Sequence, residues 1–411
     1  MIRQEELAHV IDSQQISFSK KDLGFSREIL SKVPIVKSFA TIITGLRRCG
    51  KSTLLLQILK GKQSDLGGDI LILNFEDVRL SKFGKEDFAR LYDEIIRRNS
   101  KILYFDEIQL TDGWEIFVNH LLRENFQVFI TGSNASMLSI ELGTHLTGRH
   151  LSVELFPFSY SEFVRFKGFD FGEESLKLYL ENGGIPEFVS LNIPSIVSLL
   201  VDDILVRDIA VRYAVRDVAA LKQLTLFLIS NIGNPISANK LIGMYGINSA
   251  TTFLEYFSYL KDSYILDFVP LYHDSLKVQA RNPKKVYVAD TGIYTELAVS
   301  ASRNDGRMLE NLVFNHLRRN SKSIFYFKGK GECDFVVMEK SRISKVVQVC
   351  FQINNENFDR ELNGIREAMM QLKVDKGFIV TMNQSDIFRT DFGVIQMMPA
   401  YEFLMMELSL V

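Results

Sequence analysis

The chain has 411 residues, of which 46% are hydrophobic and 24% are charged, and its mean hydropathy is +0.05. These values are typical of a soluble globular protein with room for two or three hydrophobic cores. A net charge of −2 excludes a global basic field, so any contact with nucleic acid has to rest on a local patch.

The three cysteines, Cys49, Cys333 and Cys350, are too few and too scattered for a disulfide framework or a CxxC metal site. We therefore expect reduced thiols. The N-terminal sequence MIRQEELAHVIDSQQ lacks the apolar core of a signal peptide. No apolar run approaches the roughly 20 residues that a membrane helix needs. These features predict a cytoplasmic protein that has no membrane partner.

Residues 1–38 are predicted to form a helical lead-in with two apolar turns and no visible chemistry. An α/β core is predicted over residues 39–165, where short apolar runs alternate with amphipathic stretches such as Phe88–Arg97 and Trp114–Arg123. Five strands joined by helices predict a parallel sheet with both faces covered and a ligand at the carboxyl ends of the strands. The predicted strands are Ala40–Thr44, Ile70–Phe75, Ile102–Phe105, Val128–Thr131 and Leu151–Leu155.

The sequence TIITGLRRCGKSTLLL begins at Thr41 and has the order strand, glycine-rich loop, helix. Glycines let successive N–H groups turn toward a phosphate, and the start of the helix adds its own free N–H groups. Lys51 can extend to the β- and γ-phosphates and Ser52 can ligate Mg²⁺, whereas an ordinary Gly-rich turn is the alternative. The two loop arginines either help with phosphate charge or point to solvent. The predicted nucleotide-binding residues are Gly45, Leu46, Arg47, Arg48, Cys49, Gly50, Lys51, Ser52 and Thr53.

A second motif, KILYFDEIQ, ends a buried strand in two carboxylates. Asp106 would hold the Mg²⁺ shell, mostly through water, because Mg²⁺ dehydrates reluctantly. Glu107 would polarise the water that attacks the γ-phosphate. The alternative is an acidic pair on a surface loop.

Polar residues that follow the fourth strand are further candidates. Ser133 is the first choice and Asn134 the second for contacting the γ-phosphate or its water, although both residue types also favour the N-cap of a following helix. Arg149 precedes the fifth strand, where it either stabilises transition-state charge, in its own subunit or across an interface, or faces solvent.

The segments GLRRCGKSTLL, LNFEDVRL, YFDEIQ, ITGSNASML and LTGRHLSVELFPFSYSEF resemble those of AAA-type P-loop ATPases. More narrowly, they resemble bacterial and archaeal ATPases that carry a C-terminal domain of unknown function with a restriction-endonuclease-like core. The resemblance extends from about residue 20 over nearly the whole chain and implies the sheet order 5-1-4-3-2. It implies Walker A residues Lys51 and Ser52, Walker B residues Asp106 and Glu107, a sensor at Ser133 or Asn134, and a candidate arginine finger at Arg149.

After residue 165 the strand–helix alternation stops. A helical lid is predicted over residues 166–216, with a helix at Leu176–Asn182, a turn at GGIPEF and a long helical stretch from Ile193 to Tyr213. Residues 217–270 have the spacing of a winged helix, with three helices and the strand YILDFVP. Its third helix carries only Lys261 as a basic residue, which favours a packing or protein-contact role over DNA reading.

The final predicted domain, residues 271–411, opens with a basic stretch. Between Lys277 and Lys330 there are eleven Lys and Arg and four Asp and Glu. This stretch suits either a polyanion such as DNA or an ordinary solvated surface.

The resemblance to nuclease cores implies a metal site built from a helix Glu, a strand Asp and an acidic-x-Lys triplet on the next strand. Glu310 and Asp334 match the first two positions, but the triplet has Gln348 and Cys350 in place of the acid and the lysine. Glu332, on the earlier strand, is a possible substitute. We therefore predict a nuclease fold with a degenerate site.

Three functions remain open from the sequence. The primary hypothesis is an ATPase that uses ATP and Mg²⁺ and whose nucleotide state repositions the winged-helix and nuclease-like half. This half would act on or near DNA through the stretch from Lys277 to Lys330, or contact a protein partner through the winged-helix region. The second is an ATP-gated switch with negligible turnover. The third is an ATP-dependent nuclease. An oligomer is required only if Arg149 acts across an interface.

Overall fold

A computed structural model describes residues 1–61, 69–134, 148–299, 304–340 and 342–406. The chain forms two compact units. The first comprises residues 1–155 with 262–264, and the second comprises residues 156–261 with 265–411.

The first unit is built on a five-stranded parallel sheet. Its strands are β1 (Ala40–Gly45), β2 (Asp69–Asn74), β3 (Ser100–Asp106), β4 (Gln127–Gly132) and β5 (His150–Leu155). They lie in the order β2-β3-β4-β1-β5, which confirms the predicted order 5-1-4-3-2. Since strands β1, β3 and β4 are neighbours, the residues that follow them meet at one edge of the sheet.

Four α-helices belong to the described part of this unit: α1 (Gln4–Lys20), α2 (Lys51–Gly61), α3 (Phe88–Arg97) and α4 (Trp114–Arg123). Short 3₁₀ turns lie at Glu28–Lys32, Val78–Leu80, Lys85–Asp87 and Ile108–Leu110. Helices α3 and α4 have the predicted bounds. They pack with α1 on one face of the sheet, in a core that includes Leu7, Leu91 and Trp114.

The free edge of β2 is covered by side chains of α1. Gln14 accepts from the N–H of Asn74 at 2.7 Å and donates to the carbonyl of the same residue at 3.2 Å. Gln15 accepts from the N–H of Ile72 at 3.3 Å and donates to the carbonyl of Ile70. These amides satisfy backbone groups that another strand would otherwise pair with.

The second unit begins with helices and a small antiparallel sheet. The helices are α5 (Tyr160–Lys167), α6 (Glu173–Asn182), α7 (Pro186–Leu191), α8 (Ser195–Asp203), α9 (Val218–Ser230), α10 (Ala238–Leu241), α11 (Ala250–Asp262), α12 (Leu276–Arg281) and α13 (Thr291–Leu297). The strands β6 (Pro235–Ile236), β7 (Leu266–Val269) and β8 (Lys284–Val288) pair in the order β6-β8-β7. A short 3₁₀ turn lies at Met244–Gly246.

Two segments differ locally from their sequence-based description. The predicted turn at GGIPEF contains the start of α7, because Pro186 fits the first position of a helix, where no N–H is needed. The long helical stretch after Ile193 consists of α8 followed by a π-helix at Ile204–Val211.

The rest of the second unit is a mixed six-stranded sheet with helices. Its order is β13-β14-β12-β11-β10-β9, and β11, β12 and β14 run parallel to one another. Its elements are α14 (Asp305–Asn320), β9 (Ile324–Lys328), β10 (Glu332–Glu339), β11 (Arg342–Val349), α15 (Phe358–Leu372), β12 (Lys376–Thr381), β13 (Asp386–Thr390), β14 (Gly393–Pro399) and α16 (Ala400–Phe403). Strand β8 pairs with β6 and β7, although it lies beyond the predicted boundary at residue 270. The division of the chain into five segments stays a prediction.

Candidate active site

The loop between β1 and α2 depends on two glycines. Gly45 has φ +143° and Gly50 has φ +98°, a region that side chains with a Cβ rarely adopt. A Cβ on Gly45 would lie 2.0 Å from the carbonyl oxygen of Leu155, whereas one on Gly50 would meet no atom closer than 3.6 Å. The loop therefore needs glycine at position 45 for space as well as for backbone conformation.

Lys51 begins α2 and is 7% exposed. Its Nζ donates to the carbonyl oxygens of Gly45 and Leu46, both at 3.0 Å. The ammonium group thus lies within the loop, next to the helix N-terminus, where backbone N–H groups and the helix dipole favour an anion.

Ser52 and Asp106 meet at the carboxyl edge of the sheet. The hydroxyl of Ser52 donates to Oδ2 of Asp106 at 3.2 Å, and the hydroxyl of Thr131 also donates to this carboxylate. A serine hydroxyl and a carboxylate supply the oxygen ligands that Mg²⁺ prefers. The residues present therefore fit the predicted metal.

Glu107 lies beside this pair, in the left-handed backbone region at φ +54°. Its carboxylate accepts from the side chain of Gln109 and from both the backbone N–H and the hydroxyl of Ser133, each at 3.4 Å. Burial raises the pKa of Glu107 to about 7, with a further rise from Asp106 and an opposing effect of Lys51. A carboxyl with this pKa can exchange a proton near neutral pH.

The other predicted catalytic residues have different surroundings. Asn134 is fully buried next to Ser133. The helix that either residue would cap lies outside the described residues. Arg149 is exposed ahead of β5, and within the described chain its side chain makes no hydrogen bond to the loop.

The remaining loop residues differ in how far their side chains are exposed. Leu46 is buried, Arg48 is exposed at φ +60°, and Thr53 is half-buried on α2. Arg47 forms an ion pair with Glu76 at 2.8 Å.

The side chain of Cys49 points into the protein. Its thiol donates to the carbonyl of Leu155 at 3.3 Å, and burial raises its pKa. Sequence reasoning missed Arg27, whose guanidinium donates to the carbonyl of Cys49 at 2.8 Å and is buried. Sequence reasoning also missed Thr131, although its place at the end of β4 was a usable signal.

The predicted nuclease-like residues lie together in the second unit, with a lysine from another strand. Lys285 of β8 donates to Glu310 at 2.9 Å and to Asp334 at 2.7 Å. Gln348 donates to Glu361 at 2.6 Å. A lysine that sequence reasoning missed therefore lies between the two predicted carboxylates.

Two neighbouring residues take no part in that cluster. The thiol of Cys350 donates to the carbonyl of Gln352 at 3.3 Å. Glu332, the predicted substitute, pairs with Lys328 at 2.8 Å. Within the described ranges, no three His, Cys, Asp or Glu side chains are gathered to hold a metal ion. No helix there is long and apolar enough to cross a membrane.

Comparisons with known proteins agree with this architecture. A family model described as an AAA domain matches residues 37–164, and one described as a domain of unknown function matches residues 173–304. The parallel sheet, the loop and the matched model define the N-terminal part as an AAA-type P-loop ATPase domain.

The chain belongs to the same family as the uncharacterized protein MJ1544 of Methanocaldococcus jannaschii. The two are 32% identical over 400 residues, which cover 91% of this chain and 88% of that protein. An uncharacterized protein of Haemophilus influenzae is 33% identical over 333 residues, covering 77% and 83% of the two chains.

Two solved structures show only weak likeness. AMPPCP-bound DnaA from Aquifex aeolicus has a TM-score of 0.29 at 14% identity and covers 57% of this chain and 85% of its own. Cdc6p from Pyrobaculum aerophilum has a TM-score of 0.26 at 11% identity and covers 67% and 88%. At these scores neither structure adds to the assignment.

Proposed function

We propose that the chain is a Mg²⁺-dependent ATPase whose nucleotide state controls its C-terminal half. The observation that carries the proposal is the contact between Ser52 and Asp106 at 3.2 Å, with Glu107 beside it at the same sheet edge. One phosphate-transfer site needs several different groups, and this sheet edge has a loop glycine, a helix N-terminus, a hydroxyl and two carboxylates.

Each residue has a separate role in this proposal. The backbone N–H groups from Gly45 to Thr53 bind the phosphates. Lys51 exchanges its two carbonyl acceptors for phosphate oxygens, which are negatively charged and therefore stronger acceptors. Ser52 and Asp106 hold Mg²⁺, which when bound neutralises charge on the phosphates.

Hydrolysis then requires a base and a polar group near the γ-phosphate. Glu107 accepts a proton as the water oxygen bonds to the γ-phosphorus and the bond from that phosphorus to the bridging oxygen breaks. Ser133 orients the Glu107 carboxylate through the two contacts at 3.4 Å. Asn134 is the second sensor candidate, and Arg149 is the candidate finger from this or a neighbouring copy.

The C-terminal half is proposed to hold a winged-helix-like part and a nuclease-like core. The succession α9, β6, α10, α11, β7, β8 with the sheet order β6-β8-β7 supports the first. The succession α14, β9, β10, β11, α15, β12, with Glu310 and Asp334 in contact through Lys285, supports the second.

The charges of the C-terminal half favour a protein partner over DNA. Lys261, the one basic residue of α11, pairs with Asp267 at 3.2 Å. Several cations of the predicted basic stretch have acceptors within the chain as well; these are Lys285, Arg318, Arg319 and Lys328. A cation that is already paired contributes less to counterion release on DNA.

The experiment that tests the ATPase compares the wild type with Glu107→Gln. The variant should keep ATP affinity, because the phosphate-binding loop is intact, and lose turnover by on the order of 10²–10⁴-fold, because the base is removed. Ser133→Ala is the matched control, with a smaller loss. Equal slow turnover in all three proteins would favour the ATP-gated switch.

A second experiment addresses DNA. We expect the ATPase rate to be unchanged by duplex DNA at several salt concentrations. Stimulation that fades as salt rises would instead implicate the predicted stretch from Lys277 to Lys330. Mg²⁺- or Mn²⁺-dependent DNA cleavage that is lost in Asp334→Ala would support the nuclease hypothesis.

A further inference from the structure

Three charged side chains meet in the interior of the second unit. Lys285 comes from β8, Glu310 from α14 and Asp334 from β10. Nζ of Lys285 lies 2.9 Å from Oε1 of Glu310 and 2.7 Å from Oδ1 of Asp334. Lys285 is 5% exposed and Asp334 is 7% exposed, so water does not screen the three charges.

The carboxylate oxygens have further donors besides the ammonium group. Oε1 of Glu310 also accepts from the hydroxyl of Tyr287 at 2.6 Å. Oδ2 of Asp334 accepts from the N–H of Val349 at 2.9 Å. These bonds stabilise both carboxylates in the protein interior without a metal ion.

Gln348 lies at the position where a nuclease core carries its second acid, and its side chain is hydrogen-bonded to other residues. The carbonyl of the Gln348 side chain accepts from the N–H of Asp334 at 3.2 Å, and its amide donates to Glu361 at 2.6 Å. An amide is neutral and cannot balance the charge of a divalent cation, and the hydrogen bonds of Gln348 hold it away from that role.

The charges support the ammonium form of Lys285. Burial alone would lower the pKa of Lys285, but the neighbouring carboxylates of Asp334 and Glu310 raise it above its ordinary value. Burial, followed by the charge of Asp334, raises the pKa of Glu310. An ammonium at 2.7 and 2.9 Å from two carboxylates occupies the same space as a bound cation and would repel one.

We infer that Lys285 is the resident cation of this pocket. Its ammonium group takes the place between Glu310 and Asp334 that a divalent metal would occupy. The native chain therefore binds no Mg²⁺ or Mn²⁺ there, and removal of the lysine side-chain charge turns the pocket into a cation site. The inference concerns the second unit only and does not depend on ATP hydrolysis.

The first test uses the full-length chain with Lys285→Met, which keeps an unbranched apolar stem but ends one atom short, so that the position of the ammonium group becomes free. The variant should be less stable than the wild type, because two buried carboxylates lose their counter-charge. Mn²⁺ should restore part of this loss. At ten times its dissociation constant, the ion should raise the folded-to-unfolded ratio of the variant about elevenfold.

The matched control is Lys285→Met combined with Asp334→Asn, measured in the same Mn²⁺ series. The ion should raise the urea midpoint of the single variant by more than those of the wild type and the double variant, which should shift equally through any ion bound at Ser52 and Asp106. No rescue of Lys285→Met, or an equal rescue of the double variant, would overturn the inference.

A second measurement does not depend on the folding of Lys285→Met. Mn²⁺ bound to the nucleotide-free wild type and to Asp334→Asn is counted by electron paramagnetic resonance. The inference predicts equal numbers of bound ions. One additional Mn²⁺ in the wild type would mean that the native pocket binds metal with Lys285 in place, which would overturn it.

Discussion

The two loop glycines provide a paired test of how the loop is packed. Gly45→Ala adds a Cβ at 2.0 Å from the carbonyl oxygen of Leu155 and 3.3 Å from Sγ of Cys49. Gly50→Ala adds one that meets nothing closer than 3.6 Å. Both changes also place a side chain at positive φ, so their difference isolates the steric effect.

The expected loss of stability has one contribution from the backbone conformation and one from the close contact. A strained backbone position costs about 1–3 kcal/mol in either variant. The close contact at Gly45 adds about 1–3 kcal/mol, because the neighbouring atom belongs to the backbone of β5 and has to shift. With an m-value of about 1–3 kcal/mol per molar urea, Gly45→Ala should unfold at a midpoint on the order of 1 M below that of Gly50→Ala.

The assay is the fluorescence of Trp114 in urea. It is the one tryptophan of the sequence and is 1% exposed in the core of the first unit, so it reports the unfolding of that unit. Equal midpoints for Gly45→Ala and Gly50→Ala, at equal m-values, would refute the packing argument.

Other predictions concern single groups of the same site. Burial raises the pKa of Glu107 from 4.5 to about 7. Its contribution to stability is therefore complete below about pH 4.5 and lost as the pH rises through 7. The urea midpoint, followed by the fluorescence of Trp114, should fall over this pH range in the wild type and fall less in Glu107→Gln. Arg27→Ala removes the donor to the Cys49 carbonyl and should cost about 1.5–3 kcal/mol in the same assay, with a smaller loss for Arg27→Lys. Asp106→Asn should weaken Mg²⁺-dependent ATP binding in calorimetry and leave binding in EDTA unchanged.

The sequence predicts the first unit well because its signals are local. Each strand is a short apolar run, and the loop that starts at Gly45 lies between a strand and a helix in the sequence itself. The parallel sheet then brings Asp106 to the loop without further information, since strands β1, β3 and β4 share one carboxyl edge.

The residues that sequence analysis missed act over long separations. Arg27 reaches Cys49 from a segment without a motif, and Gln14 reaches Asn74 at the edge of the sheet. Lys285 was counted only as part of a basic stretch, whereas the fold buries it between two carboxylates. Such contacts depend on tertiary packing, which no spacing rule in the sequence specifies.

Glu107 and the loop form the proposed site of ATP hydrolysis. The most direct measurement identifies the nucleotide that remains bound after the chain is incubated with Mg²⁺ and a substoichiometric amount of ATP. We expect ADP on the wild type and intact ATP on Glu107→Gln. Intact ATP on both proteins, or ADP formed equally fast on both, would contradict it.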